Sequence, residues 1–286
     1  MTKTAAGWRN ISLGTKLAIH NFLLVTIVVT VLILAIGYST SKVMESSVTM
    51  ELSEKTKILV DLIESSDKEL RDRTAVLAKG FQTSLSGKFK RDAATVEIKG
   101  LVTPVLMLEG VALNLNYAVV DRFTASAGAV ATLFVKSGDD FVRVSTSLKN
   151  EQGERAVGTL LDRAHPGYKA TMAGGSFVGL ATLFGRQYMA QYDPIKDAQG
   201  AVVGLSFVGL DFTDYLGNLK STIRNLKIGK AGYFYVLDAR PGHDYGNVLI
   251  HPVSEGKNLL NAKDADGRRQ SSQITGTRLG RNGGGV

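Results

Sequence analysis

The sequence predicts an α+β protein: a membrane-crossing helix continued by a long helical stalk, then an antiparallel sheet carrying helices, then the opening of a second such sheet. Three observations predict it. Leu17 to Tyr38 is an apolar stretch without a charge. Beyond it, seam positions recur at alternating spacings of four and three, the signature of a helix with one packed stripe. After Gly87 the texture changes to short apolar segments broken by glycines and polar turns, which reads as strands.

Composition sets the outer bounds. A chain of 286 residues, 44% hydrophobic and 21% charged, holds one large domain or two modest ones. It has no cysteine, which excludes disulfides, cysteine-ligated zinc, iron–sulfur clusters and thiol catalysis together. The net charge of +8 is spread thinly, with no Lys/Arg run longer than two, so no nucleic-acid partner is expected. A mild preference for small anions is the simpler consequence.

The elements follow in order. Residues 1–16 form a basic cytoplasmic N-terminus carrying Lys3, Arg9 and Lys16, and residues 17–38 a transmembrane helix. About twenty apolar residues span a bilayer core, and basic residues stay inside, which puts the rest of the chain outside the inner membrane, in the periplasm. A cleaved signal peptide is the rival reading, but "AIGYSTS" is a poor cleavage site. Residues 39–90 read as one long helix whose seam is Leu52, Thr56, Leu59, Ile63, Ser66, Leu70, Arg73 and Leu77. Ser66 and Arg73 weaken that seam, so it serves either packing along its own domain or a homodimer.

Residues 91–215 form the membrane-distal module. "NYAVVDRFTASAGA" puts Val119, Val120, Phe123 and Ala127 on one helical face. "VATLFVKSGDDFVRVST" is a hairpin around Ser-Gly-Asp-Asp. A loop and a short helix in "HPGYKATMAGG" lead to the strands "SFVGLATLF", "RQYMAQYDPI" and "AVVGLSFVGLDF", with Gly200 suited to positive φ in the last turn. Hairpin, helix and three further strands describe a five-stranded antiparallel sheet of PAS type. A linker helix with Tyr215, Leu219, Ile223 and Leu226 on one side leads into residues 216–286, which continue with the strand–turn–strand "GYFYVLDARPGHDYGNVLIHPVSEG". That unit has room only to begin: 66 residues separate Thr146 from Phe212 (212 − 146), whereas 35 follow His251 (286 − 251). A truncated second module of a larger protein is therefore expected.

The order and spacing of "VDRFTASAGAVATLFVKSGDDFVRVSTSLKN", "GTLLDRAHPGYKA", "FGRQYMAQYDPIKDAQGAVVGLSFVGLDFTDYL" and "GKAGYFYVLDARPGHDYGNVLIHPVSEGKNLLNAKDADG" carry a resemblance. The chain resembles the N-terminal part of a bacterial methyl-accepting chemotaxis protein with a double Cache sensor of the Cache 3/Cache 2 fusion type. The resemblance implies a membrane-distal and a membrane-proximal PAS-like module, a second span, a HAMP linker, and signalling partners for a cytoplasmic domain beyond this chain. The same sensor on a histidine kinase or a cyclic-dinucleotide enzyme is the alternative. Relatives that sense citrate carry a basic pair on the strand matching "GLATLFG"; its absence here implies a ligand smaller than a tricarboxylate.

No enzyme constellation is present. His20, His165, His243 and His251 are far apart, with no His-x-x-His or His-x-x-x-His, so neither a metal nor any other cofactor is expected. "GLSFVG" lacks the nucleophile-elbow spacing, and "GGSFVG" has no phosphate-loop lysine. His251 reads as a strand-end residue before a proline turn. A binding site needs a few convergent polar groups in apolar surroundings. Period-two alternation puts Arg186, Tyr188, Ala190 and Tyr192 on one strand face, and Phe141, Arg143 and Ser145 on another. Tyr168 and Lys169 lie on the segment that caps the sheet. The predicted ligand residues are therefore Arg143, Ser145, Tyr168, Lys169, Arg186 and Tyr188, around a small carboxylate. Arg186 is expected to grip it bidentately, and Arg143 to matter less as a rim charge.

Overall fold

The structure is a computed structural model that describes residues 12–228, 232–239 and 244–260. The chain divides into two units, Met1–Val60 and Asp61–Val286. The first is helical throughout its described part. It holds most of α1 (Leu13–Ser84), and the stretch Leu13–Met44 is long and apolar enough to cross a membrane, with a mean hydropathy of 2.6 and no buried residue. Thr26, Thr30 and Thr40 each return their hydroxyl to the carbonyl four residues back, which hides those polar groups within the helix.

The second unit begins with the last turns of α1. The helix ends at Ser84, short of the expected residue 90, because Phe89 already starts a strand. Here the seam turns onto its own domain: Ile63, Leu70 and Leu77 are partly buried, Ser66 and Thr74 are buried, and Arg73 stays exposed. Strands β1 (Phe89–Ile98), β2 (Leu101–Leu108) and β3 (Val111–Ala112) form a small antiparallel sheet. Helix α2 (Ala118–Ala127) follows, closed by Gly128 in the left-handed region.

The main sheet is built from β4 (Val130–Ser137), β5 (Asp140–Thr146), β6 (Phe177–Leu183), β7 (Arg186–Lys196) and β8 (Val202–Asp211). Its order is β5-β4-β8-β7-β6, antiparallel throughout, as the hairpin-plus-three-strands pattern predicts. Helix α3 (Pro166–Met172) lies between β5 and β6 in sequence, and α4 (Thr213–Asn225) follows β8. The expected boundary between residues 215 and 216 falls inside α4.

Both faces of the sheet are buried, which is why β8 reads as an almost continuous apolar run. On one face Ala131, Leu133, Val135, Val142, Val144 and Val208 pack under Ala78, Phe81 and Leu85 at the end of α1, Val120 of α2, and Ile98 and Leu106 of the small sheet. Phe81 and Phe123 pack with ring centroids 4.9 Å apart. On the other face Phe134, Phe141, Ala181, Ala190, Tyr192, Leu205 and Phe207 are covered by Leu161 of the β5–α3 segment and by Tyr168 and Met172 of α3. The strands approach so closely at Gly204 that a Cβ there would stand 2.3 Å from the Phe134 carbonyl oxygen.

The second module is present as short pieces. Strands β9 (Lys227–Ile228) and β10 (Gly232–Tyr233) pair, as do β11 (Val236–Leu237) and β12 (Val248–Ile250). The expected hairpin therefore forms, shorter than its apolar runs suggest. Lys3, Arg9, His243 and the segment after Leu260 lie outside the described residues. His251 has the architectural role expected of it. It is 7% exposed, its Nδ1 accepts the Val253 and Ser254 N–H groups, and its ring packs on Tyr233.

Candidate functional site

The α3-covered face holds one buried cation. Arg143 sits in the middle of β5 between Val142 and Val144, and only 5% of it is exposed. Its backbone is locked by the segment that follows β5, which runs back along the sheet edge. Arg143 N–H donates to Thr159 O, Gly158 N–H to Arg143 O, and Leu161 N–H to Phe141 O. That segment protects the edge strand and forms the cover over the site. Arg155 fastens it to α2 by a bidentate pair with Asp121, at 2.7 and 2.8 Å, while its guanidinium lies 4.2 Å from the Tyr117 ring centre.

The Arg143 guanidinium stacks on the Phe134 ring, 5.0 Å from its centre. Nη1 donates to the Thr159 hydroxyl at 2.8 Å and reaches the Ala156 carbonyl at 3.5 Å; the Thr159 hydroxyl in turn donates to Ala156 O. Nε is buried without a partner, and among the described residues Nη2 makes no hydrogen bond and no carboxylate pairs with the side chain. Burial pulls the guanidinium pKa well below its ordinary value, to about 10, offset only in small part by the Tyr192 hydroxyl. The same burial pushes Tyr192 up to about 12, with Arg143 opposing. At neutral pH the site therefore holds a full positive charge beside a neutral phenol. The Nε and Nη2 hydrogens point along one edge of the fork, the edge that takes a carboxylate with two parallel bonds.

Around this charge the face is apolar. Gly179, Ala190 and Gly209 stand opposite one another on β6, β7 and β8, so nothing larger than a methyl rises from that row. The rings of Phe177 and Phe207 lean over the two glycines, where an added Cβ would meet them at 2.6 and 2.9 Å. Tyr192 stacks on Phe207 with centroids 4.9 Å apart, and His165 packs on Tyr192 at 5.1 Å. His165 caps α3 by accepting the Gly167 N–H on Nδ1, and burial lowers its pKa.

The other sequence-predicted residues are distributed unevenly. Ser145 does not share the face of Phe141 and Arg143. A register shift sets Arg143 opposite Phe134 but Ser145 opposite Leu133, leaving Val144 as the extra residue of a β-bulge. Ser145 thus turns to the α2 side, where its hydroxyl donates to Asn116 O at 2.6 Å. Tyr168 lies on the cover, its hydroxyl donating to Asp139 O at 2.6 Å and its ring edge-on to Phe141. Lys169 is exposed. Tyr188 is buried against Leu148 and Ala156, the latter being the residue whose carbonyl faces Arg143. Arg186, the first residue of β7, stands exposed at the end of that strand in an ion pair with Asp211. Burial pushes the Asp211 carboxyl up, but Arg186 and the N–H and hydroxyl of Thr213 together hold it below the usual range.

Sequence reasoning did not single out Thr159 and Phe134, which contact Arg143, and it expected Arg143 at the rim, whereas Arg143 is buried and Arg186 exposed. The available signal was the lone charge in "DFVRVS", since an arginine flanked by valines in a strand buried on both faces cannot be a rim residue. Two open grooves run beside α1, of about 500 and about 320 Å³. The larger is lined by one helix alone and encloses nothing. The smaller holds the Arg186–Asp211 pair with Glu69, Arg73 and Tyr215, all in contact with solvent or with one another. Neither reaches Arg143. No group of His, Asp and Glu suited to a metal occurs among the described residues.

The second unit is thus built on a five-stranded antiparallel sheet with a helix-and-loop cover over the buried Arg143. Residues 38–280 match the Cache 3/Cache 2 fusion domain, and the chain belongs to that family. Among solved structures, the ligand-binding domain of the Pseudomonas aeruginosa amino acid chemoreceptor PctC, in complex with GABA, is similar over 74% of this chain and 80% of its own, at 20% identity and a TM-score of 0.41. The ligand-binding domain of the Pseudomonas fluorescens chemoreceptor CtaA, in complex with L-isoleucine, is similar over 82% of each chain at 17% identity and a TM-score of 0.39. The sensory domain of the Campylobacter jejuni chemoreceptor Tlp3 is similar over 64% of this chain and 68% of its own, at 12% identity and a TM-score of 0.33. No curated protein matches the chain.

Proposed function

We propose that this chain is the sensor region of a transmembrane chemoreceptor, and that its membrane-distal module binds a small carboxylate against Arg143. The observation that carries this reading is the unpaired Nε/Nη2 edge of Arg143, a residue only 5% exposed. Burying an ion without a counter-ion costs several kcal/mol, and an anionic ligand repays that cost on binding. Binding then couples to the cover, because Thr159 and Ala156 touch the guanidinium and Arg155 ties the same segment to α2. The apolar helix and Lys16 before it support an inner-membrane anchor with the sheet on the periplasmic side. The Met- and Val-bearing outer side of α1 supports pairing with a second copy.

The test is the melting temperature of the detergent-solubilised chain against small carboxylates and their uncharged or cationic counterparts, alcohols and amines of the same carbon skeleton. Carboxylates should raise it and the counterparts should not. Arg143→Gln, which keeps a hydrogen-bonding group but removes the charge, should lose the response. A response that survives this substitution would place the ligand elsewhere.

A further inference from the structure

The groups around Arg143 define more than the sign of the ligand's charge. On the covered face the strands carry one carboxylate among the described residues, Asp211, and it is committed to Arg186 and Thr213 at the end of β8. Asp193 is buried but faces the other way, with both oxygens held by the Gln191 amide. On the cover and hairpin tip, Asp140 pairs with Arg163, Glu154 with Lys99, Asp162 accepts the Ala164 N–H at the surface, and Asp139 and Glu151 are exposed. A ligand ammonium placed beside Arg143 would therefore be buried with no acid to meet it. A second carboxylate directed along the glycine row fares no better, because Lys136 stands at the opposite end of β4 from that row, Lys169 is exposed, and Arg155, Arg163 and Arg186 are each paired with an aspartate. What the face does offer is apolar: Phe141, Leu161, Leu205, Phe207 and the low row of Gly179, Ala190 and Gly209.

From this juxtaposition of one unpaired guanidinium with an acid-free apolar face, we infer that the site selects monocarboxylates with an uncharged, apolar body over amino acids and dicarboxylates. The inference rests on the reading that a carboxylate docks on Arg143, and it adds the discrimination. A second charge on the ligand, of either sign, loses its water and gains no partner, so selectivity comes from an uncompensated desolvation penalty. The aliphatic tail takes the low glycine row in place of the rings of Phe177 and Phe207 that rest on it.

Calorimetric titration of the full chain in detergent, with butyrate, succinate, 4-aminobutyrate and L-isoleucine as probes at up to millimolar concentration, separates the two ideas. Butyrate should bind at least tenfold more tightly than the other three, and Arg143→Met should abolish its binding. Arg143→Lys, which keeps the charge but not the fork, should weaken it in a protein of unchanged fold. If succinate or an amino acid binds as tightly as butyrate and Arg143→Met abolishes that binding, the discrimination is overturned while the carboxylate site stands. If binding of any probe is indifferent to both variants, or if no probe binds, the carboxylate site itself is overturned, and the inference with it.

Discussion

Replacing Arg143 by methionine tests whether this side chain is a fastening of the fold or a charge held ready. Burial lowers its pKa well below the ordinary arginine value, to about 10. At about 1.4 kcal/mol per pKa unit, the buried charge costs the ligand-free protein about 3 kcal/mol. Methionine fills similar space with no charge and removes that cost. It also loses the hydrogen bond to Thr159, about 1.5–3 kcal/mol for a charged donor, and the contact with the Phe134 ring, about 0.5–2 kcal/mol. Thr159 keeps its own bond to Ala156 O, so no buried hydroxyl is stranded. The opposing contributions nearly cancel, and the variant should lie within about 2 kcal/mol of the parent. In a domain of this size that is a change of a few degrees, roughly 2–4 °C per kcal/mol. Urea unfolding in the absence of ligand measures it directly. A loss above about 4 kcal/mol would show that Arg143 is a structural fastening whose partners are already complete, and would refute the reasoning that it awaits an anion.

Two further outcomes follow from the packing. Gly204→Ala puts a Cβ 2.3 Å from the Phe134 carbonyl oxygen, a backbone atom that cannot swing aside, so strand β8 must shift; a loss of about 3 kcal/mol or more is expected in chemical unfolding, and a near-neutral result would mean the strands can part there at little cost. His165 has a depressed pKa, so as pH falls below about 6.5 the unfolded chain takes up its proton first and stability is lost; protonated Nδ1 can no longer accept the Gly167 N–H. His165→Asn keeps a cap acceptor without a titration, and should flatten that acid-side loss; identical pH profiles for the two proteins would count against the cap.

The sheet was legible because its determinants are local. Glycines and paired aspartates mark the turns, period-two alternation marks the strands, and the order hairpin, helix, three strands leaves few ways to pair them. The site was legible only in part. Alternation places Ser145 with Arg143, and nothing in "VRVST" announces the bulge at Val144, since no glycine or proline marks it. The contrast between a buried Arg143 and an exposed, paired Arg186 was hidden for a different reason. Periodicity tells which face a residue takes, but not how far along the strand the cover extends, nor that Asp211, 25 positions on, neutralises Arg186. Ser66 looked like a flaw in a helical seam. Its hydroxyl in fact shares a hydrogen bond of 2.5 Å with Tyr215, a contact between residues 149 positions apart that no window of sequence displays.

That contact gives α4 an unusual standing. Tyr215 near its start binds Ser66 of α1, Ile223 is buried, and Arg224 near its end reaches Glu255 at 2.5 Å, whose same oxygen accepts the His251 N–H beyond β12. The helix is thus common property of the first sheet and of the turn that follows the second hairpin. Receptor engineering by swapping one sensing module for another usually cuts at a convenient linker. Here a cut on either side of α4 leaves an orphan, either a tyrosine without its serine or an arginine without its glutamate. A graft of the distal sheet would have to carry α4 together with the His251–Glu255 turn, or bring both ends of the helix matched to their new neighbours.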